Sequence, residues 1–422
     1  MTTINEWLQF APSPPELKPG QNWHVFLSYR SVHRPWVIQL YDVLRGLKFK
    51  VFLDQYVLKA SDQLIGSLEE GLYKSASGVL IWSVATEDSK WCKKEYYSME
   101  SRSEKDEDFH YVTAVLDNVE LDGFVSEKIY VDFSDCRSGP RGSGLLRLLY
   151  GITGGPLPEE AIKLATAVDE NTRQAEAAIA SALDVGNTKQ LLKLAASQEI
   201  HWLSSPMLGS QVAEALTKLE QYESAIAVLA DIEERYPKAI RPKQLKGLAL
   251  ARMGKLADAQ TVLGELVHAG EQDPETLGLF ARTWADRYKQ SDSLLHLKRS
   301  RDLYGQAFEN APKDYYTGIN AASKSVLLDE LDEAEKYASR VEKIVGTEKA
   351  PGDYWMTATV AEVQLIRKNY DEASKLYKDA VAIAPEETGS HKSTWQQAQL
   401  LMDKLGTADN DRAEIAKAFS HL

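Results

Sequence analysis

The sequence predicts an α/β domain followed by an all-α domain: a five-stranded parallel sheet, then an α-solenoid of stacked helical hairpins. Three observations carry this. In the first third of the 422 residues, short β-branched and aromatic runs alternate with longer stretches of helical periodicity. Beyond Leu157 the strand signals stop, and Ala, Leu, Glu and Lys at helical spacing take over. Within that second part, small residues recur at a fixed interval.

Taken in order, residues 1–21 form an irregular leader, because Ala11 to Gly20 carries four prolines and a glycine. Residues 22–153 hold the α/β domain. Its strands are expected at His24 to Ser28, Lys50 to Leu53, Gly78 to Ser83, Tyr111 to Leu116 and Lys128 to Phe133. Its helices are expected at Pro35 to Leu47, Gln63 to Lys74, Trp91 to Arg102 and Gly144 to Gly151. Strict alternation of strand and helix implies a parallel sheet covered on both faces. The run CRSGPRGSG, Cys136 to Gly144, reads as a flexible boundary.

Residues 154–203 are expected to be connecting helices, 204–406 a helical repeat domain and 407–422 a helical tail. Ala225 and Ala259 are 34 residues apart, the tetratricopeptide period. Each has a small residue twelve earlier (Ala213, Gly247) and a leucine four later (Leu229, Leu263), and Pro237 closes the first unit. Ala334 and Ala373 repeat the pattern with Ala322 and Ala361 before them and Pro385 after. A central unit, Leu277 to Pro312, fits only with an insertion near Gln290 to His296. Two antiparallel helices cannot bury their shared apolar face alone, so such hairpins stack into a superhelix with a concave surface open to a partner.

Composition excludes several functions. With 49 basic and 62 acidic residues the formal charge is −13, which disfavours attraction to nucleic acid or anionic membranes. Two cysteines fit a reducing compartment, and neither a secretory leader nor eighteen consecutive apolar residues occurs, so a cytoplasmic protein is expected. No phosphate-binding G-x-x-x-x-G-K-[S/T] loop, no G-x-S-x-G elbow and no metal-like histidine spacing is found, so no metal is expected.

In the α/β half, His24 to Arg30 reads HVFLSYR, a strand ending in Ser-Tyr-Arg. Then come Lys50-Val51-Phe52-Leu53-Asp54, a loop through Ser61, the strand GVLIWS from Gly78 to Ser83, and Ser89-Lys90-Trp91-Cys92-Lys93-Lys94-Glu95. These four ordered boxes resemble those of TIR domains, whose sheet is flavodoxin-like. The resemblance implies either an adaptor that associates with its own kind, or an NAD glycohydrolase cleaving the nicotinamide–ribose bond, with NAD as substrate and no cofactor. The family's catalytic glutamate maps onto Glu95. A carboxylate suits the reaction, since departing nicotinamide leaves a ribosyl centre with positive charge that an anion stabilises. Trp91, one turn earlier on the same face, is then placed to pack on nicotinamide or on the core. Phe26, Ser28 and Ser83 fall at strand ends and are expected to line the cleft. Arg30 and Asp54 also sit at the carboxyl edge, where Arg30 either contacts phosphate or pairs with Asp54.

The loop Gln55 to Ser61 corresponds to the family's BB loop, through which TIR copies assemble. Tyr56, Val57, Leu58 and Lys59 are the candidate assembly residues, although Lys59 and Ser61 replace the acidic residue and glycine that many relatives carry. In the helical half, Asp273 to Arg282 (DPETLGLFAR) and Asp314 to Ala322 (DYYTGINAA) are similar to the TRAFs-binding region of stress-responsive MAP kinase kinase kinases. That resemblance, over roughly Ile200 to Lys404, implies a protein-binding platform for an unidentified partner or trigger.

Overall fold

The structure, a computed structural model, describes residues 10–30, 33–53, 64–83, 86, 90–117, 130–134, 136, 139–203, 206–312, 314–347 and 353–422. Five parallel strands form one sheet in the order β2-β1-β3-β4-β5: β1 Trp23–Ser28, β2 Val51–Phe52, β3 Ser75–Trp82, β4 His110–Val115 and β5 Val131–Asp132. The register pairs Val25 with Val51, Ser28 with Leu80 and Trp82 with Val115. Helices α1 (Arg34–Gly46), α2 (Leu64–Tyr73), α3 (Lys90–Lys105) and α4 (Gly142–Thr153) cover it. Val25, Leu27, Val79 and Ile81 alternate with Phe26, Leu80 and Trp82 along the two central strands, and all are buried. That is the near-continuous apolar pattern of strands covered on both sides.

The two faces are distinct. On one, Phe26 stacks on Phe52 at 5.1 Å, and this pair joins Leu72 of α2 with Tyr96 and Met99 of α3. On the other, Phe133 meets the Trp36 ring of α1 at 5.1 Å and lies against Gly144 of α4.

The chain divides into two compact units, Met1–Lys255 and Leu256–Leu422, so the division falls inside the repeat array rather than at the end of the sheet domain. The first unit continues with α5 (Glu159–Asp184), α6 (Thr188–Ala195), α7 (Ile200–Leu203), α8 (Met207–Lys218), α9 (Tyr222–Arg235) and α10 (Ile240–Arg252). Its helices are tied to the sheet domain. Arg141, buried, pairs with Glu176 of α5. Asp169 of α5 accepts from the Ser143 backbone N–H at 2.9 Å and from its hydroxyl at 2.6 Å. Asp42 of α1 accepts from the Ile240 N–H at 3.0 Å.

These ties overturn the expectation of a flexible boundary at Cys136 to Gly144. Gly139, Pro140, Arg141 and Gly142 are buried, and Gly142, at φ +53°, leaves no room for a Cβ, which would lie 1.5 Å from the Asp169 carboxylate. The glycines there serve close packing rather than freedom.

The second unit comprises α11 (Leu256–His268), α12 (Pro274–Ser291), α13 (Leu294–Asn310), α14 (Tyr315–Leu327), α15 (Leu331–Thr347), α16 (Tyr354–Ile366), α17 (Tyr370–Ile383), α18 (Thr388–Leu405) and α19 (Asp409–Ala416), with a 3₁₀ turn at Lys417–Phe419. The repeat logic holds: Ala225, Ala259, Ala334 and Ala373 are all fully buried, as are Ala213, Ala322 and Ala361. The central hairpin has no inserted loop, contrary to expectation. Its helices are longer instead, turning sharply at Asp292 (φ +51°). Ser300 takes the small-residue position 34 before Ala334, and its hydroxyl donates to the Ala281 carbonyl at 2.8 Å. Ala281 lies 19 residues earlier rather than twelve, so the surplus of seven residues is two extra helical turns shared by the pair.

Candidate active site

In an open sheet of order 2-1-3-4-5 the chain runs one way from β1 and the other way from β3, so the loops after these strands part and leave a crevice at their carboxyl ends. Two hydrogen-bonded pairs of side chains meet at this edge.

The first is Ser28, the last residue of β1, whose hydroxyl donates to Oε2 of Glu95. The helix dictates this aim. Tyr96 and Met99 of α3 are buried, with Tyr96 edge-on to Trp82 and Tyr111 and with Met99 against Gly78. Fixing that face leaves the preceding Glu95 half-buried and turned to the end of β1. Further along α3, Arg102 lies over the Phe109 ring at 4.1 Å and its pKa is lowered by burial.

The second pair joins the loop after β1 to the end of β3. The His33 Nε2 lies 2.5 Å from the Ser83 hydroxyl, which lies 3.1 Å from the Thr86 hydroxyl. Thr86 in turn donates to the Ile81 carbonyl at 3.4 Å. Ser83 and Thr86 are fully buried. Burial pushes the His33 pKa below the usual imidazole value; Asp117, just past β4, opposes this and Arg30 reinforces it. The ring is therefore neutral near neutral pH.

Of the residues singled out in the sequence, Ser28 and Glu95 come together, and Ser83 and Arg30 share their edge. Phe26, expected at the cleft, stacks within the core two residues inside the strand end, so its ring is used in packing. Asp54 and the loop residues Tyr56, Val57, Leu58 and Lys59 lie outside the described residues, as does the side chain of Trp91. His33, Thr86 and Asp117 were missed. His33 was visible only as a titratable residue five positions beyond the Ser28 strand end, a signal that a search for metal spacing passes over.

In the second unit both motif boxes open on a helix cap. Asp273 caps α12, accepting from the Thr276 N–H at 2.9 Å, and Asp314 caps α14 through the Tyr316 N–H at 3.1 Å. Gly278 lies beside Tyr316, Thr317 and Tyr304, and Gly318 makes room for Val341 and Phe308. Beside them the buried Ser323 and Lys324 of α14 and the half-buried Glu362 of α16 and Gln397 of α18 form a polar cluster: Ser323 donates to Glu362, Gln397 donates to Glu362 at 3.2 Å, and Lys324 donates to Gln397 at 3.4 Å. Among the described residues no group of His, Cys, Asp and Glu could hold a metal ion, and no helix is long and apolar enough to cross a membrane.

Residues 25–149 match the family model of the TIR domain, and residues 221–328 match the model described as Tetratricopeptide Repeats-Sensor. The chain has a TIR–TPR architecture. The TIR match runs from β1 through α4 and so takes in both hydrogen-bonded pairs. The sensor-type TPR match spans α9 to α14 and contains both motif boxes. Among solved structures, a thermophilic TPR protein of Thermus thermophilus is 16% identical over 45% of this chain and 96% of its own, with a TM-score of 0.38. MamA (41-end) of Desulfovibrio magneticus is 17% identical over 42% and 97%, TM-score 0.34. A TPR protein of Parabacteroides merdae is 16% identical over 50% and 78%, TM-score 0.34. No curated protein matches this sequence. TIR and TPR domains are in general modules for protein interaction, which makes a signalling or adaptor role the broad functional assignment.

Proposed function

We propose that the TIR domain is an NAD glycohydrolase, with Glu95 as the carboxylate that stabilises the ribosyl centre, and that self-association controlled by the TPR-type array switches it on. The observation that carries this reading is the tie between Ser28 and Glu95 at the β1/β3 carboxyl edge. It supports a carboxylate held at the crevice where open parallel sheets bind ligands, rather than one solvated on a helix surface. NAD is the proposed substrate, with Arg30 as the candidate for its phosphates and Trp91 as the candidate for nicotinamide.

Assembly through the loop that includes Tyr56, Val57, Leu58 and Lys59 belongs to the same proposal, as does capture of a protein partner or trigger by the array. Tyr316 and Trp355, about half exposed at equivalent second positions of α14 and α16, support the latter. Signalling, immunity or antiphage defence, in the cytoplasm, is the setting proposed for an enzyme that would deplete a central metabolite only when triggered.

The test is to concentrate or crowd the purified full-length protein, add NAD and follow nicotinamide. Wild type should release it, and Glu95→Ala should not while keeping its circular dichroism spectrum. A protein that forms oligomers yet releases no nicotinamide is instead a non-catalytic adaptor.

A further inference from the structure

The carboxyl-edge crevice contains a titratable group that the proposed role of Glu95 leaves unused, and its hydrogen bonds fix its chemistry. We infer that His33 is the proton acceptor of this crevice, its imidazole held in a single tautomer by the hydroxyl chain behind it. The inference rests on the glycohydrolase reading and deepens it.

The tautomer follows from counting protons. We take the Thr86 hydroxyl as donor to the Ile81 carbonyl, which can only accept, at 3.4 Å. The Ser83 hydroxyl therefore gives its own proton to Thr86 Oγ1. Ser83 Oγ is then the acceptor in its contact with His33, so the ring proton sits on Nε2. Nδ1 is left as the lone-pair nitrogen, the form needed to take a proton. Ser83 and Thr86 are fully buried, so water does not compete for this chain.

Position supports the same role. His33 comes from the loop after β1 and is anchored on the end of β3, so it straddles the strands between which the chain reverses direction. The charges around it are Asp117 beyond β4 and Arg30 beyond β1, and the Asp117 anion favours the imidazolium that forms when the ring is protonated. In the hydrolysis, the oxygen of water bonds to ribose C1′ as the C1′–nitrogen bond breaks. The electron pair of that bond goes to the nicotinamide nitrogen and cancels its positive charge, and the proton lost by water passes to His33 Nδ1 and then to solvent. Nothing is oxidised or reduced.

Two measurements on the full-length protein test this. Long-range ¹H–¹⁵N spectra of labelled histidine, with the His33 signal assigned by its loss in His33→Gln, should show Nε2 protonated and Nδ1 pyridine-like. An Nδ1-protonated ring overturns the inference whatever the protein does to NAD. Second, nicotinamide release by wild type should fall on acidification through a midpoint below the usual imidazole value. His33→Gln should be about 100-fold slower and lack that limb. Ser83→Ala, which keeps the ring but removes its anchor, should lose less activity and move the limb. Equal rates and equal pH profiles in wild type and His33→Gln refute His33 alone. Wild type inert under assembling conditions refutes the glycohydrolase reading, and this inference with it.

Discussion

A glutamate on a helix flank is ordinarily solvated, and Glu95 differs in being tied to a strand end. Ser28→Ala removes that tie without removing charge, so it should slow nicotinamide release by about tenfold while leaving the melting temperature nearly unchanged, in line with the cost of a loosened reacting geometry. The second unit shows the opposite use of charge. Burial lowers the Lys324 pKa to about 8, against the pull of Glu362. Burial raises that of Glu362, against its bonds to Ser323 and Gln397 and the charge of Lys324. The signs follow from linkage. A lysine lowered on folding sheds its proton before the unfolded chain does, so it makes stability rise between about pH 8 and its ordinary 10.5. A glutamate raised on folding contributes stability that is complete below its ordinary 4.5 and is lost as pH climbs through the raised value. Lys324→Met removes a cation that favours the Glu362 carboxylate, which keeps its bonds to Ser323 and Gln397, and should cost about 1 kcal/mol at neutral pH. The cost should shrink in acid, where Glu362 takes up a proton, and Glu362→Gln in the same chain should recover most of it. Thermal unfolding across pH reads both effects.

At the scale of elements, α10 begins at Ile240 with Ala239 as its N-cap, which has no side chain able to accept. The Asp42 carboxylate from α1 supplies the missing acceptor. Asp42→Ala should cost about 1 kcal/mol and speed amide exchange at Ile240, whereas Asp42→Asn should preserve most of the protection. Gly318→Ala should also destabilise, by about 1–3 kcal/mol in thermal melts, because its Cβ would lie 2.6 Å from Val341 and 2.9 Å from Phe308. Most elements were legible in the sequence because period decides them. The apolar run Gly78 to Ser83 forms the central strand, and the alanines spaced by 34 mark where helices touch. The central hairpin was misread because a seven-residue surplus has the same length whether it forms a loop or two extra turns. The Gly-rich run at Cys136 to Gly144 was misread because glycine that permits close approach looks the same in sequence as glycine that permits motion. Glu95 was reached through a resemblance. His33 was not reached at all, because its partners Ser83 and Thr86 are fifty residues away and only the β1–β3 pairing brings them near.

For the whole molecule, the ion pair Arg141–Glu176 and the bonds from Ser143 to Asp169 mean that the sheet domain does not end energetically where its sequence pattern ends. A fragment stopping at Thr153 lacks Glu176 and Asp169, and it should melt at a lower temperature than a fragment of residues 1–255 by circular dichroism. The role of Glu95 is decided by the rate of nicotinamide release from NAD, compared between the crowded full-length protein and its Glu95→Gln counterpart, which has the same shape but no anion. A stabilising carboxylate at Glu95 gives steady release by wild type and none above background by the variant at matched oligomer content. Equal release by the two would contradict it.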